Sequence, residues 1–384
     1  ESQIRIAHIT TVPLTFRFFD GQFDYMAERG YEIHAISSPG ERLNRLAETV
    51  GVQTHEVEML RAIAPMKDLG ALGRMAATLR RVDPDIVHAH TPKAGLIGMM
   101  AATLAGVERR IYQMHGLPTL TARGLKYLVL NLAERVSCTL AHRVIAVSDS
   151  LRRVAIDEGL ASADKLKILA KGSANGIDAD ERLDPERVGE EARREVRERH
   201  DLPEDAPVVG FVGRLVGDKG IVELVEAWEV LRRRHPEAYL MIVGPKGERD
   251  AISGELYRRI EEMESVRLVG FRDDIPAYYR AMDVIAFPSH REGFPYVPLE
   301  AAAMELPIVA TDAVGCVDAV IDGETGVIIG VGDAPALANR LSSYLEDSDL
   351  RERHGRAGRE RVLRDFRREK VWEALDKLYW ELLR

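Results

Sequence analysis

The stretch Ser289–Glu300, SHREGFPYVPLE, lies between a predicted strand and a predicted helix. Residues 283–288 before it, DVIAFP, are typical of a short buried parallel strand closed by a proline. Residues 299–305 after it, LEAAAME, are strong helix formers in a row. Glu292 is therefore predicted in a loop at the carboxyl end of a strand, with Glu300 in the first turns of the helix. In an open α/β sheet, ligands bind in the crevice at that edge.

The same junction also has a purely structural explanation. An acidic residue near a helix N-terminus is favourable without any function. On Glu292 and Glu300 alone the two interpretations are balanced, and the rest of the chain has to decide between them.

The composition is that of an ordinary globular protein. Of 384 residues, 46% are hydrophobic and 30% are charged, and the two cysteines, Cys138 and Cys316, have no metal-type spacing. The charge is uneven: through Asn175 the chain carries 22 Lys and Arg against 18 Asp and Glu, and the remainder carries 31 against 44. A basic first half indicates an anionic partner such as phosphate or a membrane surface. We expect no nucleic-acid partner, because the excess is small and no recognition motif accompanies it.

Apolar strands alternate with helical segments along the whole chain, which predicts an α/β fold with two Rossmann-like, doubly wound parallel sheets facing a central cleft. A length of 384 residues also favours two domains. We expect an N-terminal domain at 1–180, a connector at 181–206 and a C-terminal domain at 207–365. The last helix, within 366–384, is expected to pack back on the first domain.

The segment 213–220, GRLVGDKG, lies where the first strand of the second domain turns into its helix. Its glycines let the backbone approach a ligand, the helix N-terminus offers N–H groups, and Arg214 and Lys219 add two positive charges. We interpret it as a diphosphate cradle, although it fits neither the P-loop nor the dinucleotide glycine pattern. The structural alternative is a loop with solvated basic residues.

Histidines and acidic pairs are the candidate metal ligands of this chain. His88 and His90 share one face of a strand, but no carboxylate or cysteine partner has suitable spacing. The acidic triplets 83–85 (DPD) and 178–180 (DAD) lie in a turn and a linker, so we expect no metal site there. His115 ends a strand and should face the cleft, although a strand-end histidine is more often structural.

Taken together, the motifs resemble the retaining, metal-independent glycosyltransferases of family 4, which have the GT-B fold. The resemblance rests on residues 292–300 (EGFPYVPLE), 213–220 and 311–315 (TDAVG), and it runs nearly the whole chain. The segments 8–41 and 172–178 (GSANGID), with the continuation of the last motif to residue 326, most resemble the bacterial branch that builds capsule and exopolysaccharide.

The resemblance implies that the domain at 1–180 binds the acceptor and that the domain at 207–365 binds the nucleotide-sugar donor. It also implies a role for each candidate residue. Arg214 and Lys219 would hold the diphosphate of a UDP-sugar and stabilise the leaving group, so that neither a metal nor a cofactor is required. Glu300 would bind the ribose hydroxyls and Glu292 the sugar hydroxyls at C3 and C4, with His115 beside the sugar. Further implied contacts are the backbone of Gly293 and Phe294, the diphosphate side at Asn175 and Gly176, and the base at Phe271 and Arg272.

The implied chemistry is transfer with retention by front-face attack, without a protein nucleophile. In this respect Glu292 and Glu300 differ from the acid–base pair of a glycosidase. One departure concerns the loop after the first strand, where many members have a Gly-Gly pair and this chain has Thr10-Thr11. The contact from this loop is therefore open, and Thr11 is a candidate for binding the acceptor.

The bacterial branch implies a polyprenyl-diphosphate-linked or other glycan acceptor, and the sugar transferred is expected to be an N-acetylhexosamine. The segments 61–81 and 117–141 mix basic with apolar residues, and such surfaces suit anionic lipid. The alternative is that both helices simply pack on the sheet. We expect a cytoplasmic protein, peripheral on the inner face of the cell membrane, since no apolar stretch is of spanning length and no secretory leader is present.

Two other functions fit parts of the pattern. A UDP-N-acetylglucosamine 2-epimerase shares the fold, and it would interconvert UDP-sugars without an acceptor. A two-lobed sugar-binding protein of the periplasmic type is the non-enzymatic alternative, and the Arg214 and Lys219 loop counts against it.

Overall fold

The computed structural model of the protein describes residues 3–48, 51–247 and 250–384. The chain divides into two compact units, one formed by Glu1–Gly176 with Arg368–Arg384 and the other by Ile177–Arg367. Each unit has a hydrophobic core of its own. Among the helices of the described ranges, none combines the length and the apolar character needed to cross a bilayer.

A parallel sheet with helices on it forms the first unit. Its strands are β1 (Ile4–Ile9), β2 (Tyr31–Ser37), β3 (Val52–Glu56), β4 (Ile86–His90), β5 (Arg109–Met114), β6 (Arg143–Ala146) and β7 (Leu166–Lys167), and its helices are α1 (Gln22–Glu28), α2 (Glu41–Leu46), α3 (Pro65–Val82), α4 (Pro92–Ala105), α5 (Gly124–Leu140) and α6 (Asp149–Asp157). The strand order is β3-β2-β1-β4-β5-β6-β7, and all neighbours are parallel. The order reverses between β1 and β4, where doubly wound sheets bind ligands.

The second unit repeats this plan. Its elements are α7 (Pro185–Arg199), β8 (Val208–Val212), α8 (Ile221–Arg234), β9 (Tyr239–Val243), α9 (Gly254–Glu261), β10 (Val266–Gly270), α10 (Ile275–Ala281), β11 (Val284–Phe287), α11 (Tyr296–Ala303), β12 (Ile308–Thr311), α12 (Cys316–Ala319), β13 (Gly326–Ile329), α13 (Ala334–Glu346) and α14 (Ser348–Asp365). The parallel order β10-β9-β8-β11-β12-β13 has its switch point between β8 and β11. Two parallel, Rossmann-like sheets confirm the predicted fold class.

The last helix, α15 (Arg368–Leu383), belongs to the first unit. Its apolar face, which includes Trp372 and Tyr379, is buried in the core of that unit. The Tyr31 hydroxyl donates a hydrogen bond to Asp376 Oδ1 over 2.7 Å, which fixes the helix against β2. The C-terminal helix is therefore part of the folded core of the first unit.

Two segments differ from the expected secondary structure. The sequence predicts one helix from about residue 15 to Arg29, but the structure has a 3-10 helix at Pro13–Phe19 and begins α1 only at Gln22. Gly21, with a φ of 78°, separates them in the left-handed region that favours glycine. The expected connector contains the helix α7, which is interrupted by a kink at Gly189, where the backbone is not helical.

Candidate active site

In the second unit, the loop after β8 lies against the ends of two neighbouring strands. Gly213 N–H donates to Val243 O over 2.9 Å, and Leu215 N–H donates to Pro245 O over 3.0 Å. Gly220 has a φ of 70°, and a Cβ there would collide with the Pro288 carbonyl at the end of β11. Only glycine meets both requirements without strain. The loop is thereby fixed beside the segment that carries Glu292.

Lys219 and Glu292 meet at this place. The Lys219 ammonium forms an ion pair with Glu292 Oε1, and the Ser289 hydroxyl donates to the same oxygen over 2.6 Å. Both charged side chains are mostly buried. Glu292 Oε2 receives no hydrogen bond from any residue that the structure describes. One carboxylate oxygen is therefore held in place and the other is available to a ligand.

Arg214 is exposed at the start of the same loop. Within the described ranges its guanidinium forms neither a hydrogen bond nor an ion pair, so nothing there neutralises its charge. Two further pairs of side chains hold the loop from the other side. Arg291 donates to Asp218 Oδ2 over 2.6 and 3.1 Å, and His290 Nε2 lies 2.9 Å from Glu223 Oε1. No sequence motif indicated these pairs.

The turn after Glu292 is packed on a second glycine loop. Gly315 has a φ of 82°, and a Cβ there would lie 2.5 Å from Gly293 O and 3.3 Å from the Glu292 carbonyl carbon. The Phe294 side chain is buried, with its ring centroid 5.4 Å from that of Phe366. Phe294 can therefore offer a ligand its backbone but not its ring. This explains why the segment 311–315 accompanies the two glutamates.

Glu300 lies in the second turn of α11. Its Oε2 accepts a hydrogen bond from the Tyr279 hydroxyl over 2.8 Å. Burial, and next the Glu300 carboxylate, raise the pKa of Tyr279 well above its usual value, so the tyrosine remains a donor. This bond fixes the direction of the Glu300 carboxylate. No sequence motif indicated Tyr279.

Phe271 and Arg272 follow β10, the strand at the edge of the sheet. Phe271 is half exposed, and such a ring suits stacking with a planar base. Arg272 Nε donates to the Tyr278 hydroxyl over 2.8 Å, so its guanidinium is held by the protein. The base contact stays a prediction for both residues.

In the first unit, His115 follows β5 and begins a chain of buried rings. His115 Nε2 lies 3.2 Å from His90 Nδ1, and His90 Nε2 lies 3.1 Å from His8 Nδ1. Burial lowers the pKa of His115 to about 4 and that of His8 to about 3. These imidazoles are therefore neutral at physiological pH. His115 was a predicted site residue, but no sequence pattern linked it to the other histidines.

A cluster of buried histidines could also bind a metal ion. One ring nitrogen each of His8, His88 and His90 lies within 4.8 Å of the others. However, His8 and His90 are already hydrogen-bonded to each other, and His8 and His88 are both hydrogen-bonded to Tyr379. The expectation that no metal is needed stays a prediction.

The remaining candidates of the first unit have structural partners. Asn175 Oδ1 accepts from Trp372 Nε1 over 2.6 Å and from Gln22 Nε2 over 3.1 Å, so this side chain joins α15 to α1. Gly176 has a φ of 72°, and its N–H donates to Ser173 Oγ. Their assignment to the diphosphate stays a prediction.

Thr11 follows β1, so it lies at the carboxyl edge of the first sheet, as His115 does. Its Oγ1 lies 2.8 Å from Thr91 Oγ1 and accepts from Ala94 N over 3.2 Å, so it caps the first turn of α4. The side chain is buried. An acceptor contact through this hydroxyl would have to compete with these bonds, and that role also stays a prediction.

Comparison with known proteins adds family information to this geometry. Residues 192–361 match the model described as "Glycosyl transferases group 1", and residues 18–172 match the "Glycosyl transferase 4-like domain". The capsular polysaccharide biosynthesis glycosyltransferase CapM of Staphylococcus aureus is 34% identical over 376 residues, which are 98% of this chain and 96% of CapM.

Two further matches extend the comparison. A UDP-Gal:alpha-D-GlcNAc-diphosphoundecaprenol alpha-1,3-galactosyltransferase of Escherichia coli is 24% identical over 91% of this chain and 90% of its own. The crystal structure of Alr3699/HepE from Anabaena, in complex with UDP, superposes with a TM-score of 0.80 at 21% identity, covering 99% of this chain and 100% of that one. The two family models and the likeness to CapM show that this chain belongs to the family 4, group 1 glycosyltransferases, enzymes with the GT-B fold.

Proposed function

We propose that this glycosyltransferase moves a sugar, an N-acetylhexosamine, from a UDP-sugar to a polyprenyl-diphosphate-linked or similar glycan in the synthesis of a cell-surface polysaccharide. Support for the acceptor class comes from CapM, whose name refers to capsule, and from the Escherichia coli relative, whose name states a diphosphoundecaprenol acceptor. Support for the nucleotide comes from the UDP complex of Alr3699/HepE.

The observation that carries the proposal is the meeting of Lys219 and Glu292 at the switch point of the second sheet. Lys219 and Arg214, whose guanidinium has no partner among the described residues, would face the diphosphate, and Glu292 Oε2 would accept hydrogen bonds from sugar hydroxyls. Glu300, held by Tyr279, would bind the ribose. Two cations, placed where negative charge grows on the leaving UDP, would stabilise the transition state without a metal ion.

The reaction we propose retains the configuration at the sugar. The bond between C1 and the phosphate oxygen breaks, and UDP leaves with the electron pair. The acceptor hydroxyl attacks C1 from the same face, and its proton passes to an oxygen of the departing phosphate. Glu292 would orient the sugar rather than form a covalent bond, since Lys219 and Ser289 already hold one of its oxygens.

We also propose that the first unit rests on an anionic membrane surface. Four exposed side chains of α5 follow the spacing i, i+3, i+4 and i+7, which makes one continuous apolar stripe that faces solvent instead of the sheet. They are Leu125 (76% exposed), Leu128 (62%), Val129 (40%) and Leu132 (63%). The acidic residue of this helix, Glu134, is buried. An outward apolar stripe without acid suits insertion between lipid headgroups.

A second apolar group lies at the start of α3, with exposed Ile63, Met66 and Leu69. Because α3 and α5 each follow a parallel strand, both begin at the carboxyl edge of the sheet, the edge that carries Thr11 and His115. Four exposed cations flank the two groups and add attraction to anionic lipid. They are Arg61, Lys67, Arg123 and Lys126.

A donor screen tests the catalytic proposal. Purified protein is mixed with UDP-, GDP- or TDP-sugars and a polyprenyl-diphosphate-linked acceptor, in EDTA, and the anomeric configuration of the product is read by NMR. We expect transfer from a UDP-sugar with retention. Inversion, a requirement for added metal, or no transfer by folded protein from any donor would each contradict part of the proposal.

The epimerase alternative is not favoured, since both family models describe glycosyltransferases. Interconversion of UDP-sugars without an acceptor would restore it.

A further inference from the structure

A hydrogen-bonded chain of five buried or partly buried rings runs from His115 to the C-terminal helix. It passes from His115 to His90, and then to His8, over 3.2 and 3.1 Å. His8 Nε2 lies 3.4 Å from the Tyr379 hydroxyl, which lies 2.8 Å from His88 Nδ1. The chain joins strands β1, β4 and β5 with α15, all within the first unit.

The histidines of this chain are neutral, and each therefore carries one N–H. Burial is the main cause of the lowered pKa in all four, and the neighbouring rings lower those of His88 and His90 further. A neutral imidazole donates through one nitrogen and accepts through the other. Each contact in the chain consequently dictates the tautomer of the next ring, and the whole chain has one direction of donation.

Tyr379 decides that direction, because its hydroxyl has one proton and two histidine partners. If the hydroxyl donates to His8, then His8 donates to His90, His90 donates to His115 Nε2, and His115 carries its own proton on Nδ1. If it donates instead to His88, every tautomer is reversed, and His115 Nδ1 is bare.

The other end of the chain favours the first direction. His88 Nε2 is buried and has no hydrogen-bond partner in the described ranges. In the reversed direction this atom would carry a proton without an acceptor, and a buried unpaired N–H is costlier than an under-used acceptor. The buried amide nitrogen of Gln113, on the adjacent strand, likewise lacks an acceptor among the described residues, and a bare His88 Nε2 would suit it.

We propose that Tyr379, acting through His8 and His90, holds His115 as the Nδ1–H tautomer, so that His115 presents a fixed N–H donor to an oxygen atom of the bound sugar. No residue in the described part of the chain is hydrogen-bonded to His115 Nδ1. Tyr379, His8 and His90 are thus positioning residues, and α15 is a functional part of the first unit. The role toward sugar rests on the proposed function, whereas the tautomer does not.

Nitrogen NMR of protein labelled with ¹⁵N-histidine tests the tautomer without any substrate. The His115 signals are assigned by their loss in His115→Gln. We expect the Nδ1–H form in the wild-type chain and a mixture containing the Nε2–H form in Tyr379→Phe. The matched control is Tyr31→Phe, which also removes a buried hydroxyl that contacts α15, but outside the ring chain. It should leave the His115 signals unchanged.

Kinetics give the second measurement. Tyr379→Phe should lower kcat on the order of threefold to tenfold, the range for losing one neutral hydrogen bond, while Tyr31→Phe should not. An Nε2–H His115 in wild type, or the same tautomer in wild type and Tyr379→Phe, overturns the proposal. So does an equal effect of Tyr31→Phe, which would make packing of the helix the cause.

A metal analysis covers the competing assignment of the rings. One equivalent of metal in purified protein, lost in His90→Asn, would make His8, His88 and His90 ligands and would overturn the hydrogen-bonded chain. If the tautomer result holds but no sugar is transferred from any nucleotide, the proposed function fails and the positioning of His115 stands.

Discussion

Lys219 and Glu292 are 73 residues apart in sequence, yet they form an ion pair between the loops that follow β8 and β11. Glycine makes this meeting possible, because a side chain at position 220 would strike the Pro288 carbonyl. The pair is mostly buried, so removing one partner leaves an uncompensated charge. A bound diphosphate would compete with Glu292 for Lys219, which couples the grip on phosphate to the position of the carboxylate.

Removing the Lys219 charge should therefore weaken UDP binding. We expect Lys219→Met to cost about 1.5–3 kcal/mol, the range for hydrogen bonds to charged groups, as measured by calorimetric titration with UDP. Glu292→Gln should lower turnover more than affinity. In the double variant, the loss of UDP-binding free energy should be smaller than the sum of the losses in the two single variants, because the residues are in contact. Arg233→Met, at the far end of α8, is the control and should bind UDP normally. Strictly additive losses would contradict the coupling.

Glu300→Ala should also weaken UDP binding, by about 1–3 kcal/mol, if ribose hydroxyls lose their acceptor. Tyr279→Phe removes the hydroxyl that fixes Glu300 but keeps the carboxylate, so its loss should be smaller. Uridine diphosphate and its 2′,3′-dideoxy analogue are compared by the same titration. The wild-type preference for UDP should disappear in Glu300→Ala. A preference that survives would remove Glu300 from the ribose site.

The glycine at position 315 gives a test that changes no charged group. Gly315→Ala places a Cβ 2.5 Å from Gly293 O at a φ of 82°, so the turn after Glu292 has to shift. We expect a stability loss of about 1–3 kcal/mol, typical of left-handed strain, and a clear loss of kcat with UDP affinity nearly retained. Gly323→Ala is the matched control: its φ is 73°, but a Cβ there would meet no atom of the other described residues within 4 Å, its two chain neighbours aside. Equal kcat in the two variants would show that the turn does not position Glu292.

The sequence predicted the elements that local patterns encode. The strand before Ser289, the loop 213–220 and α15 follow from apolar runs, glycine spacing and helical periodicity, and the structure contains each of them. The contacts that hold the site were not predictable in this way. Tyr279 lies 21 residues from Glu300, and Tyr379 lies 291 residues from His88, so their pairing depends on packing and not on spacing. The register that sets His8 beside His88 was equally invisible in sequence.

The buried histidines predict how stability depends on pH. The pKa of His8 falls to about 3 and that of His115 to about 4 in the folded chain, against about 6.5 when unfolded. Below about pH 6.5 the unfolded chain therefore binds protons that the folded chain does not, and stability falls as pH falls. It is fully present above about pH 6.5, and the loss continues down to the folded pKa values.

Each such histidine should lower the free energy of unfolding by up to about 1.4 kcal/mol for each unit by which the pH falls in that window. Urea unfolding at pH 5.5 and 7.5 measures the difference. His8→Asn, whatever its stability, should show a smaller pH dependence of stability than wild type. Glu134, whose pKa burial raises to about 7, opposes the trend between pH 4.5 and 7. If stability depended on pH in His8→Asn as strongly as in wild type, His8 would not be buried as a neutral ring.

The apolar stripe of α5 predicts binding to anionic vesicles. Wild-type protein should bind vesicles of phosphatidylglycerol and phosphatidylcholine more tightly than vesicles of phosphatidylcholine alone, and added salt should weaken the binding. Replacing Leu125, Leu128 and Leu132 by serine removes most of the stripe. Since these side chains already face solvent, folding should be unaffected, while vesicle affinity should fall at least about tenfold, because each buried leucine contributes on the order of 1.5–3 kcal/mol.

Leu104→Ser is the matched control for the stripe. Leu104 is 57% exposed in the same unit, but it lies near the carboxyl end of α4, and vesicle binding should survive its loss. Transfer to a water-soluble acceptor should be equal in all three proteins, since the side chains of the stripe face solvent. Light scattering tests the alternative that a second copy of the chain covers the stripe. A wild-type dimer that the triple variant abolishes, without vesicle binding in either protein, would assign the stripe to a second copy of the chain.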